Sequence, residues 1–220
     1  MLSRLKEAAL KETDVNQDLP RSVHGSEPPS AWVQRWSHLV TERGVVLDVA
    51  CGQGRNARWF YERNHPVALV DRAQAAIESI AIPAQACEAV VADIENGPWP
   101  FAGRQFAAVI VTNYLWRPLM PTLLDSLAPS GVLIYETFTQ GNETVGKPSR
   151  PDFLLRTGEL LELCRDLRVV AFEDGFQEDA QGQSPRFIQR IAAVREAAGQ
   201  TDGHPPFNPA PLAPARYSLP

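Results

Sequence analysis

From Val45 onward the chain alternates short apolar runs with stretches of helical periodicity, a pattern that predicts a doubly wound α/β domain: a mostly parallel sheet with helices on both faces. Two further observations support that class. A glycine-rich turn, Gly52-Gln53-Gly54, joins the first apolar run to a helical stretch. The last two apolar runs are separated by too few residues for a crossover helix, so they are expected to pair antiparallel. The strands predicted in order are Val45–Val49, Val67–Val70, Ala89–Ala92, Phe106–Thr112, Val132–Thr137, Val169–Phe172 and Phe187–Val194. The expected sheet is therefore Rossmann-like and seven-stranded, with an antiparallel last strand.

The helices follow from apolar spacing. Leu2, Leu5 and Ala9 start a short helix that gives way to a loop with Asn16, Pro20, Gly25, Pro28 and Pro29, so residues 1–29 read as a helix and loop able to cover a site. Ser30 is placed to cap a helix whose buried face is Trp32, Trp36, Leu39 and Val40, and the two tryptophans read as core rather than ligand cage. Ala57, Phe60 and Tyr61 share a second face, Ala73, Ile77 and Ile80 a third, and Leu119, Leu123, Leu124 and Leu127 a fourth. Pro129-Ser130-Gly131 reads as a turn. The polar stretch from Gln140 to Asp152 has the length of a functional loop and is read as a lid. Leu160, Leu163, Cys164 and Leu167 give a last helix. The domain is thus expected over 30–198, and the proline-rich residues 199–220 are expected to be a disordered tail.

Composition narrows the classes of function. A chain of 220 residues with 44% hydrophobic and 21% charged residues suits one soluble domain. The net charge of −5 lacks the basic excess that nucleic-acid binding draws on. No apolar run approaches the ~20 residues that cross a bilayer, and Arg4, Lys6 and Glu7 interrupt any leader pattern, so neither membrane nor secretion is expected. Cys51, Cys87 and Cys164 are too scattered for a disulfide framework or a metal site, which fits the cytoplasm.

The chemistry converges on the ends of the first three strands. The turn Gly52-Gln53-Gly54-Arg55-Asn56-Ala57 lets a ligand approach the backbone, and taken alone it also satisfies the dinucleotide pattern. Asp48, inside the end of the first strand, would repel a pyrophosphate and attract an ammonium group. Asp71 ends the second strand 23 residues further on, where a carboxylate can accept both hydroxyls of a ribose. Asp93 follows the third strand, where it could accept from an adenine amino group while the Ile94 amide donates to the ring.

On these residues the chain resembles the class I S-adenosylmethionine-dependent methyltransferases. The first motif is Val46-Leu47-Asp48-Val49-Ala50-Cys51-Gly52-Gln53-Gly54, the ribose acid is Asp71 and the adenine motif is Val91-Ala92-Asp93-Ile94. Ala50 stands where many members have the first glycine. Within the class, the glycine turn and Phe153-Leu154-Leu155-Arg156-Thr157-Gly158-Glu159-Leu160 are similar to tellurite-resistance and related small-molecule methyltransferases. The resemblance implies S-adenosylmethionine bound by Asp48, Ala50, Gly52, Gly54, Asn56, Asp71, Arg72, Asp93, Ile94 and Asn113, with Thr112, Asn113 and Tyr114 beside the acceptor. It implies methyl transfer to a small molecule by in-line displacement. If the acceptor must lose a proton, Tyr114, Glu136 and His24 are the candidate bases, whereas Cys51 reads as a packing residue. Two other readings stand beside this one: an NAD(P)-dependent oxidoreductase using the same glycine loop, and a non-catalytic nucleoside-binding module.

Overall fold

In the computed structural model, which describes residues 27–178, 184–197 and 216–219, the apolar runs become β1 (Val46–Val49), β2 (Val67–Asp71), β3 (Cys87–Val91), β4 (Phe106–Thr112), β5 (Leu127–Phe138), β6 (Arg168–Gln177) and β7 (Arg186–Val194). They form one seven-stranded sheet in the order β3-β2-β1-β4-β5-β7-β6. The first five strands run parallel, and β7 is antiparallel to both neighbours, β5 and β6. The order reverses direction between β1 and β4, so the crevice at their carboxyl ends is where a ligand site is expected. β1 is buried along its whole length, as a central parallel strand must be, while the edge strand β3 carries the exposed Glu88.

Strand alternation divides the core in two. Val46, Leu69, Ile110 and Ile134 pack under α1 (Ala31–Trp36), α2 (Arg55–Tyr61) and α3 (Gln74–Glu78). Leu47, Val109, Leu133 and Tyr135 pack under α4 (Met120–Asp125) and α5 (Glu159–Leu163). Ser30 caps α1 as its position predicts, its hydroxyl accepting from the amides of Trp32 and Val33 at 3.1 and 3.3 Å. Trp32 and Trp36 are core residues, stacked edge to face with centroids 5.5 Å apart. No helix among the described residues is long and apolar enough to cross a membrane.

The structure departs from the sequence reading in several places; the last helix, for one, ends at Leu163, before Cys164 and Leu167. Pro129-Ser130-Gly131 is not a turn but an irregularity inside β5: between the pairs Phe106 to Leu127 and Ala108 to Val132 the strand takes up extra residues, with Ser130 left-handed at φ 64°. The Ser130 amide still finds a partner, the Arg195 carbonyl at 2.7 Å, which is why the strand continues rather than ending. Leu127 therefore belongs to β5 and not to the face of α4. The loop after β5 is shaped by Asn142, whose side chain is buried, donates to the Pro148 carbonyl at 3.0 Å and accepts from the Phe187 amide at 3.1 Å. Finally, four residues of the expected disordered tail are placed: Tyr217 packs on the α1 side of the core, and the Ser218 carbonyl lies 2.9 Å from Nε2 of His38. Tyr217 supplies the apolar surface that a count of prolines overlooks. The rest of 199–220, and the predicted helix of Leu2, Leu5 and Ala9, lie outside the described residues.

Candidate active site

The loop after β1 turns by left-handed residues. Ala50, Gly52 and Gly54 have φ of 52°, 54° and 71°. A side chain on Gly52 would meet nothing within 4 Å, so the space above this residue is open, as a ligand lying on the backbone requires. Asp71 holds the loop from the next strand, its Oδ2 accepting from the Gly52 amide and its Oδ1 from the Ala73 amide, both at 2.8 Å. Each oxygen keeps a further lone pair for a hydroxyl group. Ala50 bears the cost of a left-handed residue with a Cβ, about 1 kcal/mol. Ala50→Gly is therefore expected to raise stability by up to about 1 kcal/mol in urea denaturation, less the entropy that glycine adds to the unfolded chain; a loss would mean that the methyl group packs.

Two cavities, of about 380 and 330 Å³, lie at this sheet edge. Ala50 and Asn113 line both, so they adjoin at the switch point between β1 and β4. The larger brings together Ala50, Asp71, Arg72, Asp93, Ile94, Asn113 and Tyr114 from the sequence reading, and the smaller includes Gly52 and Thr112. Asp93 also caps the turn after β3, accepting from the Glu95 and Asn96 amides at 3.0 and 3.2 Å and from the Asn96 side chain at 2.9 Å. The Asn96 side-chain bond, with the Glu95 amide, holds its carboxyl below the usual range.

Four candidates are placed elsewhere. Gly54 caps α2 and faces Ile80 rather than either cavity. Asp48 lies beneath the loop, 1% exposed, with Oδ2 accepting from the Ala57 amide at 3.1 Å. Asn56 is committed within the protein: Oδ1 accepts from the Ser30 amide and Nδ2 donates to the Thr112 hydroxyl, each at 3.0 Å. It fastens α1 to α2 and β4 under the site instead of facing a ligand. Glu136 accepts from the Ser30 hydroxyl at 2.9 Å and from Arg190 Nη1 at 3.1 Å, and is buried, so it is a structural anion and not a free base. His24 lies outside the described residues. Tyr114 does line the larger cavity, but burial and the neighbouring Glu95 carboxylate push its phenol well above the usual range, which suits a hydrogen-bond donor and not a base. Burial likewise raises the Cys51 thiol, which keeps it protonated and inert.

Several lining residues were not among the site residues the sequence suggested. Thr137, Phe138, Pro148 and Phe153 form the far wall of the larger cavity, and Glu27 and Arg55, an ion pair at 3.4 Å, flank the smaller one. Only the loop length between Gln140 and Asp152 hinted at such a wall. Arg117 supports it by donating to the carbonyls of Asp152 and Leu154 at 3.0 and 2.8 Å and to both oxygens of Glu159.

Strand order, glycine turn and the acids after β2 and β3 define a class: the chain has the class I S-adenosylmethionine-dependent methyltransferase fold. Residues 46–131 match the family described as methyltransferase domain. Among solved structures, TehB from Haemophilus influenzae aligns with a TM-score of 0.62 at 16% identity, over 74% of this chain and 61% of TehB, so the chain spans about three fifths of that protein. A SAM-dependent methyltransferase from Methanosarcina mazei aligns at 0.58 with 14% identity, over 78% of this chain and 100% of that one. The glycopeptide N-methyltransferase MtfA complexed with S-adenosylmethionine aligns at 0.53 with 17% identity, over 80% of this chain and 98% of MtfA. No curated protein matches the chain by sequence.

Proposed function

We propose that the protein transfers the methyl group of S-adenosylmethionine to a small-molecule acceptor. The observation that carries the reading is Asp71: one carboxylate shapes the glycine loop through the Gly52 amide and keeps lone pairs at the edge of the larger cavity, where a ribose is to be held. The residues present fit the cofactor. Open space lies over Gly52, Asp93 and Ile94 line the cavity in which an adenine would lie, and the lining carries Asp71, Asp93 and Glu95 against Arg72, a balance that favours a cationic ligand over a pyrophosphate. MtfA, which shares this fold, has been solved with S-adenosylmethionine, and that supports the choice.

When bound, S-adenosylmethionine supplies an activated methyl group on a positively charged sulfur. What the chain contributes is alignment and exclusion of water, and such positioning can supply ~7–11 kcal/mol of a barrier. Asn113, left-handed at φ 56° and shared by both cavities, stands where cofactor and acceptor would meet. With Glu136 held by Ser30 and Arg190 and Tyr114 held protonated, neither of these two serves as the base for an acceptor that must lose a proton. A cytoplasmic location belongs to the same proposal, supported by Cys51, Cys87 and Cys164, which are all free thiols.

The test is calorimetric titration with S-adenosylhomocysteine beside NAD(H). Binding of the first alone is expected; binding of NAD(H) alone would make the loop a dinucleotide site. In the same titration Asp71→Ala is expected to weaken S-adenosylhomocysteine at least tenfold, about 1.4 kcal/mol, through lost ribose contacts and a loosened Gly52. Unchanged affinity in a folded variant would remove Asp71 from the site.

A further inference from the structure

The larger cavity is chemically divided along the sheet edge. All four charged residues that line it, Asp71, Arg72, Asp93 and Glu95, end or follow β2 or β3. The wall beyond β4 and β5 is made of Tyr114, Leu115, Thr137, Phe138, Pro148 and Phe153, without a charge. With β3-β2-β1-β4-β5 side by side, four strand spacings separate the outermost of these ends, roughly 19 Å. The charged side is where the cofactor's adenosine belongs under the function proposed above, on which this inference rests. The uncharged side is left for the acceptor.

We propose that the acceptor is an uncharged molecule with an aromatic or heteroaromatic ring, held against Phe138, Pro148 and Phe153, and that oxyanions are excluded. A hydrated oxyanion brought against this wall would lose its water and, among the described residues, find only Arg150, which lies over the Phe153 ring and is already paired with Asp152 at 2.9 Å, a cost that the hydroxyls of Tyr114 and Thr137 do not cover. A ring loses little on leaving water and gains offset or edge contacts with two phenylalanines. Phe153 is 38% exposed even with the Arg150 guanidinium 5.0 Å from its ring centroid, so part of the ring is left to cover. The Tyr114 hydroxyl is buried without a well-formed hydrogen bond, beside the Glu95 carboxylate, so a ligand heteroatom would compete with Glu95 for its proton. In the transfer, a lone pair on that acceptor's nitrogen, oxygen or sulfur forms the new bond to the methyl carbon. The carbon–sulfur bond breaks with its electron pair going to sulfur, and any proton on the acceptor leaves to water.

The experiment uses the full chain loaded with S-adenosylhomocysteine and observes ligand binding by saturation-transfer NMR, with quinoline and 2-naphthol as ring probes and selenite and tellurite as competitors. The ring probes are expected to bind, to lose at least tenfold in affinity in Phe153→Ala and to recover it in Phe153→Tyr, while neither oxyanion competes or yields S-adenosylhomocysteine from S-adenosylmethionine. Ring binding that is absent, or unchanged in Phe153→Ala, would overturn the proposal, as would turnover of either oxyanion. Failure of the protein to load S-adenosylhomocysteine at all would instead overturn the proposed function, and this inference with it.

Discussion

Asp48→Asn is expected to raise the melting temperature at pH 8 and to leave it nearly unchanged at pH 4. The carboxyl is buried between β1 and α2, with one oxygen on the Ala57 amide and the other without a partner. Burial raises its pKa from 3.8 to about 7, against the opposing pull of the Ala57 amide and Arg55, with Asp71 adding to the rise. The folded value lies above the unfolded one, so the protonated form is the one folding favours. Wild-type stability is therefore full below about pH 4, falls as the pH climbs towards 7 and is level above that. Asparagine keeps the shape and never ionises. At 1.36 kcal/mol per unit the gap at pH 8 is on the order of 4 kcal/mol. Thermal melts of both proteins from pH 4 to 8 measure it. A constant gap across that range would show that Asp48 stays ionised in the fold, as its reading as the partner of an ammonium group requires.

Arg117→Met is expected to lower the melting temperature by about 5–10 °C and to expose the 140–156 segment to proteolysis. The guanidinium donates to Glu159 Oε1 and Oε2 at 2.7 and 2.9 Å and to two carbonyls of the turn Pro151–Phe153 and its successor. Without it, a carboxylate whose side chain is 7% exposed keeps only Arg156 as a charged partner, a loss of roughly 2–3 kcal/mol, and in a domain of this size each kcal/mol moves the melting point by ~2–4 °C. Burial works to raise the Glu159 carboxyl, but the Arg117 bonds and the Arg156 amide outweigh it and hold it lowered. The part of stability due to the pair is thus present at neutral pH and fades as pH falls through that lowered value. Arg117→Lys is not expected to rescue, because an ammonium cannot fork to a carboxylate and two carbonyls at once. A melting point equal to the wild type would show that the loop holds itself.

The fold was legible because its signals are local and repeated. A buried parallel strand reads as continuous apolar residues, an N-cap serine precedes its helix, and a glycine turn between them marks the ligand edge. That Asp71, Asp93 and Asn113 stand at the sheet edge was legible for the same reason, each lying at or just past a strand end. What could not be read is pairing over distance. Asn56 looks like a loop residue facing a ligand until Ser30 and Thr112 arrive from 26 and 56 residues away. Glu136 looks like a base until Arg190 arrives on β7 from 54 residues away. Pro148 sits in a polar stretch whose length alone was informative and Phe153 at the start of a motif that did not reveal its cavity role, since their place in the cavity depends on Arg117 and Asn142. Pro129-Ser130-Gly131 carries turn residues, and only the pairing of β5 with its neighbours keeps it in the sheet.

The clamp by Arg117 and the knot around Asn142 also bear on how such a site can diversify. The groups assigned to the cofactor stand on strand ends and are set by the sheet, whereas Pro148 and Phe153 belong to a segment tied back at two roots, by Asn142, which also holds the Pro148 carbonyl, and by Arg117 at Asp152 and Leu154. Between those roots the chain is free to change its residues and length without disturbing the sheet beneath. One nucleoside platform can in this way serve a succession of acceptors, each new one obtained by rewriting a dozen residues that the core never sees.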